Sequence, residues 1–181
     1  MNVVRTAIPE VLLLQPVVHQ DARGYFLESY NRQTFAAAVG RDVTFVQDNH
    51  SRSDRRVLRG LHYQIQRPQE KLVRVVAGEI FDVAVDLRTS SPTFGKWVGH
   101  LLSSRNMAMT WVPEGFAHGF LVLSDYAEVI YKTTDHRFPE AERVLLWSDA
   151  ALGIDWPIRE GLVMSARDQA GSLLRDAELY E

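Results

Sequence analysis

Cysteine is absent from this 181-residue chain, which removes disulfide bridges and thiolate metal ligands from its chemistry. A strong net charge is absent too. Twenty Lys and Arg stand against 23 Asp and Glu, a net of −3 with histidine neutral. No general basic field therefore draws nucleic acid or an anionic membrane, and any anionic ligand must be held by local cations. Long apolar runs are missing: "EVLLLQ" and "FLVL" fall far short of the roughly 20 residues that span a bilayer. The opening "MNVVRTAIPEVLLLQP" has no basic segment followed by a cleavable apolar one, so a cytoplasmic address is expected. Internal repeats, low-complexity tracts and linkers are also lacking. With 46% hydrophobic residues, the chain suffices for one core and is short for two, so one domain spanning 1–181 is expected.

What is present is alternation. Apolar and polar residues alternate through Val57–Ile65, Lys71–Ala77 and Ile80–Leu87, with "AGE" as a tight link between the last two, and period two marks half-buried strands. Further strands are predicted at Tyr25–Tyr30, Thr44–His50, Lys96–Leu102, Met107–Val112, His118–Leu123, Ala127–Thr133 and Arg143–Trp147. "NRQTFAAAVG" reads as one short helix with Asn31 as N-cap and Gly40 as its stop. The end, "SARDQAGSLLRDAELY", returns to helical spacing. Many short strands with helices only early and late predict an all-β fold, a barrel or jelly roll; a parallel α/β sheet would need a helix between strands.

The strand Val57–Ile65 and its neighbours carry Arg59, His62, Gln64, Lys71, Arg74 and Asp82 at polar positions. Inside a small barrel such residues are costly unless they pair, bind metal or line a ligand cavity. Simple alternation places Gly60, His62 and Gln64 on one face and Arg59, Leu61 and Tyr63 on the other, and a single bulge would reverse that assignment. Taken alone, His62 would be an ordinary core or surface histidine, Lys71 and Arg74 solvated strand residues, Tyr131 a packing aromatic and Asp168 a first-turn helix acid. His19, His100 and His136 are expected on the surface.

"WVPEGFAHGF" holds Pro113, Gly115 and His118 in a P-x-G-x-x-H pattern, a tight turn leading into a strand. It resembles the second motif of the cupin superfamily, whose histidine often binds metal. The first cupin motif needs two histidines one residue apart, and this chain offers "LHYQ" with Gln64 in the second place, so a metal-free site is expected.

Five blocks in order carry a closer resemblance: "DARGYFLESYN", "FVQDNHSRSDRRVLRGLHYQ", "QEKLVRVVAGEIFDVAVDLRTSSPTFGKWVG", "PEGFAHGFLVLSDYAEVIYKT" and "LLWSDAALGIDWP". Over nearly the whole chain they resemble the dTDP-4-dehydrorhamnose 3,5-epimerase family, whose members are metal-free, cupin-like enzymes of dTDP-L-rhamnose synthesis. The resemblance implies a double-stranded β-helix, the cupin-like jelly roll, acting on a dTDP-linked 4-keto-6-deoxyhexose without a cofactor. It makes His62 the general base, Tyr131 the general acid, Asp168 the carboxylate that orients His62, and Lys71 the cation that stabilises an enolate. Arg23, Phe26, Glu28, Gln47, Asn49, Arg59, His118, Glu142 and Arg167 would contact the nucleotide sugar, with Arg23 and Arg59 the candidates for the diphosphate. Asp82 and Phe120 would be wall residues. Arg167, in "SARD", stands where the family usually has lysine.

The residue types suit that chemistry. Hydrogens on C3 and C5 of such a sugar are acidic because both carbons flank the C4 ketone. An imidazole with an ordinary pKa of about 6.5 removes such protons near neutrality, and a cation near O4 holds the enolate. Guanidinium groups form paired hydrogen bonds to diphosphate. The resemblance also implies a homodimer in which N-terminal strands, among them "EVLLLQPVV", add to the neighbour's sheet. Three other readings share the scaffold: a mono-epimerase inverting one centre, a metal-dependent cupin, and a non-catalytic nucleotide-sugar binder.

Overall fold

The computed structural model describes residues 1–181. In chain order the strands are β1 (Asn2–Arg5), β2 (Leu12–Gln15), β3 (Val18–Asp21), β4 (Gly24–Leu27), β5 (Gln47–Asp54), β6 (Leu58–Gln64), β7 (Lys71–Ala77), β8 (Glu79–Asp86), β9 (Trp97–Ser103), β10 (Met109–Val112), β11 (Phe116–Val122), β12 (Tyr126–Thr133) and β13 (Glu142–Val144). Helix α1 (Arg32–Val39) lies between β4 and β5, and α2 (Ala166–Gln169) follows β13; Pro139–Ala141 and Leu174–Asp176 form single 3-10 turns. A six-stranded sheet, β1-β2-β10-β7-β12-β5, faces a five-stranded sheet, β13-β6-β11-β8-β9, and β3 pairs only with β4 in a separate ribbon. This is the cupin-like jelly roll that the sequence predicts.

Side-chain alternation builds the layers. Val73 and Val75 of β7 and Ala127 and Val129 of β12 meet Ile80, Leu102, Phe120 and Val122 of the opposite sheet. The outer face of the six-stranded sheet (Leu12, Leu14, Leu72, Met109, Trp111) is covered by Phe35 of α1 and by Val43. The outer face of the five-stranded sheet (Leu58, Leu61, Val83, Val85, Leu121) is covered by the C-terminal stretch through Leu145, Leu152, Ile154 and Trp156. Burying one such side chain contributes about 1.5–3 kcal/mol. The outer face of the six-stranded sheet is open only toward its β5–β12 end, where Lys132 pairs with Asp48 and His50 with Glu128, and the space between the sheets holds the remaining buried polar groups.

Helix α1 forms as the sequence predicts: the Asn31 side chain accepts the Thr34 N–H and Gly40 ends the helix at φ 85°. Other expectations need correction. The strand predicted over Tyr25–Tyr30 is the shorter β4, because the chain bends away after Leu27 to reach the α1 cap. The strand predicted over Thr44–His50 begins at Gln47 and continues through "SRSD" to Asp54, where pairing with β12 holds turn-forming residues extended. The C-terminal helical spacing yields only four residues of α2 and one 3-10 turn. The rest runs extended across the outer sheet face, bridged at Val57–Val163, Leu145–Ser172 and Arg88–Tyr180. The loop after β8 is pinned by Asp86, whose buried carboxylate accepts from Arg88, Ser91 and Thr93.

The decisive departure lies in β6. On β11, His118 is opposite His62 while Phe120 is opposite Arg59, so β6 spends one more residue than its partner over that interval, a β-bulge. Cross-strand partners share a face, and Phe120 belongs to the inter-sheet core. Arg59 and His62 therefore both point between the sheets, while Leu58, Leu61 and Tyr63 point outward into the other core. Simple alternation had separated Arg59 from His62. The bulge needs glycine against it: a Cβ on Gly119 would lie 2.5 Å from the Arg59 carbonyl oxygen and 3.0 Å from Leu61 Cδ2. Gly119→Ala is expected to cost roughly 1–3 kcal/mol, the usual range for overpacking, measurable as a lower urea midpoint at unchanged m-value; an unaltered midpoint would contradict this account of the bulge.

Candidate active site

The inter-sheet space opens at one end into a cavity walled by both sheets. His62 comes from the five-stranded sheet, and Lys71 and Tyr131 come from β7 and β12 of the opposite one, which places Tyr131 across from His62. Gln47 and Asn49 of β5 and Glu142 of β13 complete the predicted residues in its wall. Asn49 is in register with Tyr131, and Thr133, between Lys71 and Gln47 on the neighbouring strands, fixes the ladder.

His62 Nε2 lies 2.6 Å from Asp168 Oδ1, bringing together residues 106 positions apart. Burial pushes the Asp168 carboxyl up, but hydrogen bonding and charge from His62 and the Ser165 hydroxyl bring it below its ordinary value. It is an acceptor only, so Nε2 carries the hydrogen and Nδ1 keeps its lone pair. Asp168 is itself placed by the α2 cap, since Ser165 Oγ accepts its backbone N–H at 3.1 Å. The His62 side chain is 42% exposed against 6% for Asp168, so the dyad presents its imidazole to the cavity and hides its carboxylate.

Burial lowers the Lys71 ammonium to about 8, against the upward pull of Asp82 and Glu142. Burial likewise raises the Tyr131 phenol, opposed first by Arg59, so it holds its proton at neutral pH. Deeper in, His118 Nε2 lies 2.7 Å from Asp82 Oδ1, both side chains nearly inaccessible. His100, expected on the surface, points inward from β9 beside Asp82; its Nε2 is enclosed, and burial lowers its pKa while Asp82 opposes. Arg59 reaches from its bulge to donate to Ser53 Oγ at 2.9 Å.

At the rim, Glu142 accepts a two-pronged contact from Arg137 at 2.8 and 3.0 Å and another from Arg167. These contacts, led by Arg137, bring Glu142 to about 2 despite burial. Arg23, Phe26 and Glu28 lie elsewhere. Arg23 and Phe26 stand on the exposed β3–β4 ribbon, with Arg23 paired to Asp21, and Glu28 follows it beside Asn31. Sequence reading missed Arg137 and Gln69 in the cavity wall; both lie in loops, where no periodicity marks them. Gln64 also lines the cavity, and its amide is occupied by the backbone of Arg67 and Phe138. No group of three or more His, Cys, Asp or Glu side chains is arranged to hold a metal ion.

A jelly roll whose interior brings a carboxylate-backed imidazole, a phenol and an ammonium into one cavity, with guanidinium groups at the rim, suits acid–base chemistry on an anionic ligand. The comparisons with known proteins narrow that class. The family model described as dTDP-4-dehydrorhamnose 3,5-epimerase matches residues 5–176. The enzyme of that name from Pseudomonas aeruginosa is 56% identical over 180 residues, covering 99% of each chain, and that from Salmonella typhimurium is 56% identical over 182 residues, covering 100% of each. Among solved structures, a 3,5-epimerase of Legionella pneumophila in complex with dTDP-4-keto-L-rhamnose superposes with a TM-score of 0.97 at 48% identity, covering 99% of this chain and 97% of that one. The chain belongs to the dTDP-4-dehydrorhamnose 3,5-epimerase family.

Lys71 offers a direct check of the cavity's electrostatics. The protein has three lysines, so reductive ¹³C-methylation gives a readable NMR titration. Lys71 is expected to titrate at about 8, and Asp82→Asn, which removes the stronger of the two upward pulls on it, to shift that midpoint downward. A Lys71 resonance that titrates above 10, like a free lysine, would refute the buried placement.

Proposed function

We propose that the protein epimerises dTDP-4-dehydro-6-deoxy-D-glucose at C3 and C5 to dTDP-4-dehydro-L-rhamnose, with His62 as base, Tyr131 as acid, Lys71 as enolate stabiliser and Asp168 as the partner that orients His62. The observation that carries this reading is the pairing of His62 with Asp168 on one wall of a cavity whose other wall presents Lys71 and Tyr131. Inversion at carbon requires removing a proton from one face and returning one to the other, and a base and an acid on opposing sheets meet that requirement.

His62 Nδ1 takes the proton from C5 or C3, breaking the C–H bond and moving its electron pair into an enolate whose charge rests on O4. Lys71, a cation below about pH 8, gains most when that charge develops, in a site where burial has already weakened competing hydration. Tyr131 then gives its phenolic hydrogen to the opposite face of the carbon. The imidazolium on His62 and the phenolate on Tyr131 reset by exchange with solvent before the second centre reacts. Arg59 suits the diphosphate, and Gln47 and Asn49 the polar edges of the ligand. His118, held by Asp82, would serve as a donor deeper in the site.

In deuterium oxide, proton NMR of the substrate is expected to show loss of signal at both C3 and C5, with His62→Ala slower by roughly 10²–10⁴-fold, the usual worth of a general base. Exchange at C3 alone would make the protein a mono-epimerase, and no exchange at either carbon would leave only sugar binding.

The proposal extends to a homodimer. The β3–β4 ribbon has no third strand, two-stranded ribbons are marginal in water, and it exposes Val17, Val18, Tyr25 and Phe26. Seated on a second copy, it would cover those side chains and carry Arg23, Phe26 and Glu28 toward a neighbouring nucleotide. Sedimentation equilibrium is expected to give about twice the chain mass of 20.6 kDa; a monomer at micromolar concentration would overturn the assembly.

A further inference from the structure

One cation in the cavity wall has no part in the mechanism above. Arg137 lies between β12 and the Pro139–Ala141 turn and lines the same cavity as His62, Lys71 and Tyr131. Two contacts fix it there. Its guanidinium forks onto Glu142 at 2.8 and 3.0 Å, and its backbone N–H donates to Gln47 Oε1 at 3.4 Å. Gln47 in turn donates to Asn49 Oδ1 at 2.8 Å, and Asn49 is the cross-strand partner of Tyr131. The backbone of Arg137 is thus tied to the β5 edge beside Tyr131, while its guanidinium rests on Glu142 of β13 in the wall of the cavity that Tyr131 also lines. Because Glu142 also accepts from Arg167, two guanidinium groups share one carboxylate, and this rim keeps one uncompensated positive charge.

We propose that Arg137 is a positioning residue for the proton donor, stabilising the phenolate that Tyr131 becomes when it gives its hydrogen to carbon. This rests on Tyr131 being the acid. In that step the O–H bond of Tyr131 breaks, a C–H bond forms at the enolate carbon, and the negative charge moves from O4 to the phenolic oxygen. Arg137 keeps its own proton throughout. Burial makes such a phenolate costly, Glu142 adds to the cost, and Arg59 and Arg137 oppose it. Arg59, as a diphosphate contact, has its field offset once two phosphate groups lie against it. Arg137, tied to a carboxylate of the protein, keeps its position in the same cavity wall in every turnover.

The test compares wild type, Arg137→Met, Arg137→Lys and Tyr131→Phe with the dTDP-4-keto sugar in deuterium oxide, measuring deuterium uptake and inversion separately, together with KM. A weakened acid leaves His62 free to remove a proton and return deuterium to the same face, so uptake without inversion accumulates. Arg137→Met is expected to lower inversion about tenfold while uptake continues, raising the uptake-to-inversion ratio by a similar factor. KM should stay within about twofold of wild type, Arg137→Lys should recover most of the loss, and Tyr131→Phe should mark the upper limit of the ratio. A raised KM with an unchanged ratio would make Arg137 a ligand contact and overturn the proposal, as would no change in either quantity. A wild-type enzyme that neither exchanges nor inverts would remove the epimerase reading and this role with it, whereas a wild type that inverts beside an Arg137→Met variant of unchanged ratio would sink this role alone.

Discussion

The bulge in β6 is the constraint on which the site depends. A regular strand shows one face to the inter-sheet space at every second residue, which would admit His62 and exclude Arg59. One extra residue at Gly60–Leu61 admits both, while Leu58, Leu61 and Tyr63 stay in the outer core. The close approach of Gly60 and Gly119 makes room for it. An imidazole and a guanidinium three positions apart on one strand are thereby both aimed between the sheets without any loss of apolar burial behind them.

Around that bulge, the interior divides along its length. One part of the inter-sheet space is packed with Val75, Ile80, Leu102, Val122 and Ala127, and the other carries Lys71, His62, Tyr131, Asn49 and Gln47. Each charged group in the polar part is costly to bury alone, and three have a compensating neighbour: Asp168 for His62, Asp82 for His118, Arg137 and Arg167 for Glu142. Lys71 has no direct partner at contact distance. It keeps its charge through the fields of Asp82 and Glu142, which leaves the ammonium hydrogens free for a ligand oxygen. A chain of modest acidic charge thus arrives at a locally cationic cavity mouth.

Much of this was legible in the sequence, for reasons that differ from element to element. Strands β7, β8 and β12 showed themselves by alternation, and α1 by its Asn31 cap and Gly40 stop. His62, Lys71 and Tyr131 were legible only as members of long motif blocks, and Asp168 only through the short "SARD" motif, because none differs locally from an ordinary strand or helix residue. The side to which Arg59 points was not legible, since a bulge is set by tertiary packing against Gly119 and leaves no periodic trace. The "SRSD" end of β5 fell outside the strand predicted over Thr44–His50 and is held extended by β12. The C-terminal stretch read as helix because its apolar spacing is uneven; its order comes from lying across the outer face of the five-stranded sheet. Arg137, in a loop, offered no pattern at all.

The strand order carries a consequence for how the molecule comes into being. In the six-stranded sheet, β2 pairs with β10 and β5 with β12, so neighbours in space are far apart along the chain. Such non-local pairing must close large loops before it gains contacts, which places folds of this kind among the slow ones. During synthesis, β5 and β7 emerge long before β12 can pair with them, and Asp168 follows later still. Every stage short of nearly the full chain therefore has open sheet edges and an unbacked His62, so assembly of the fold and arrival of its chemistry are a single late event.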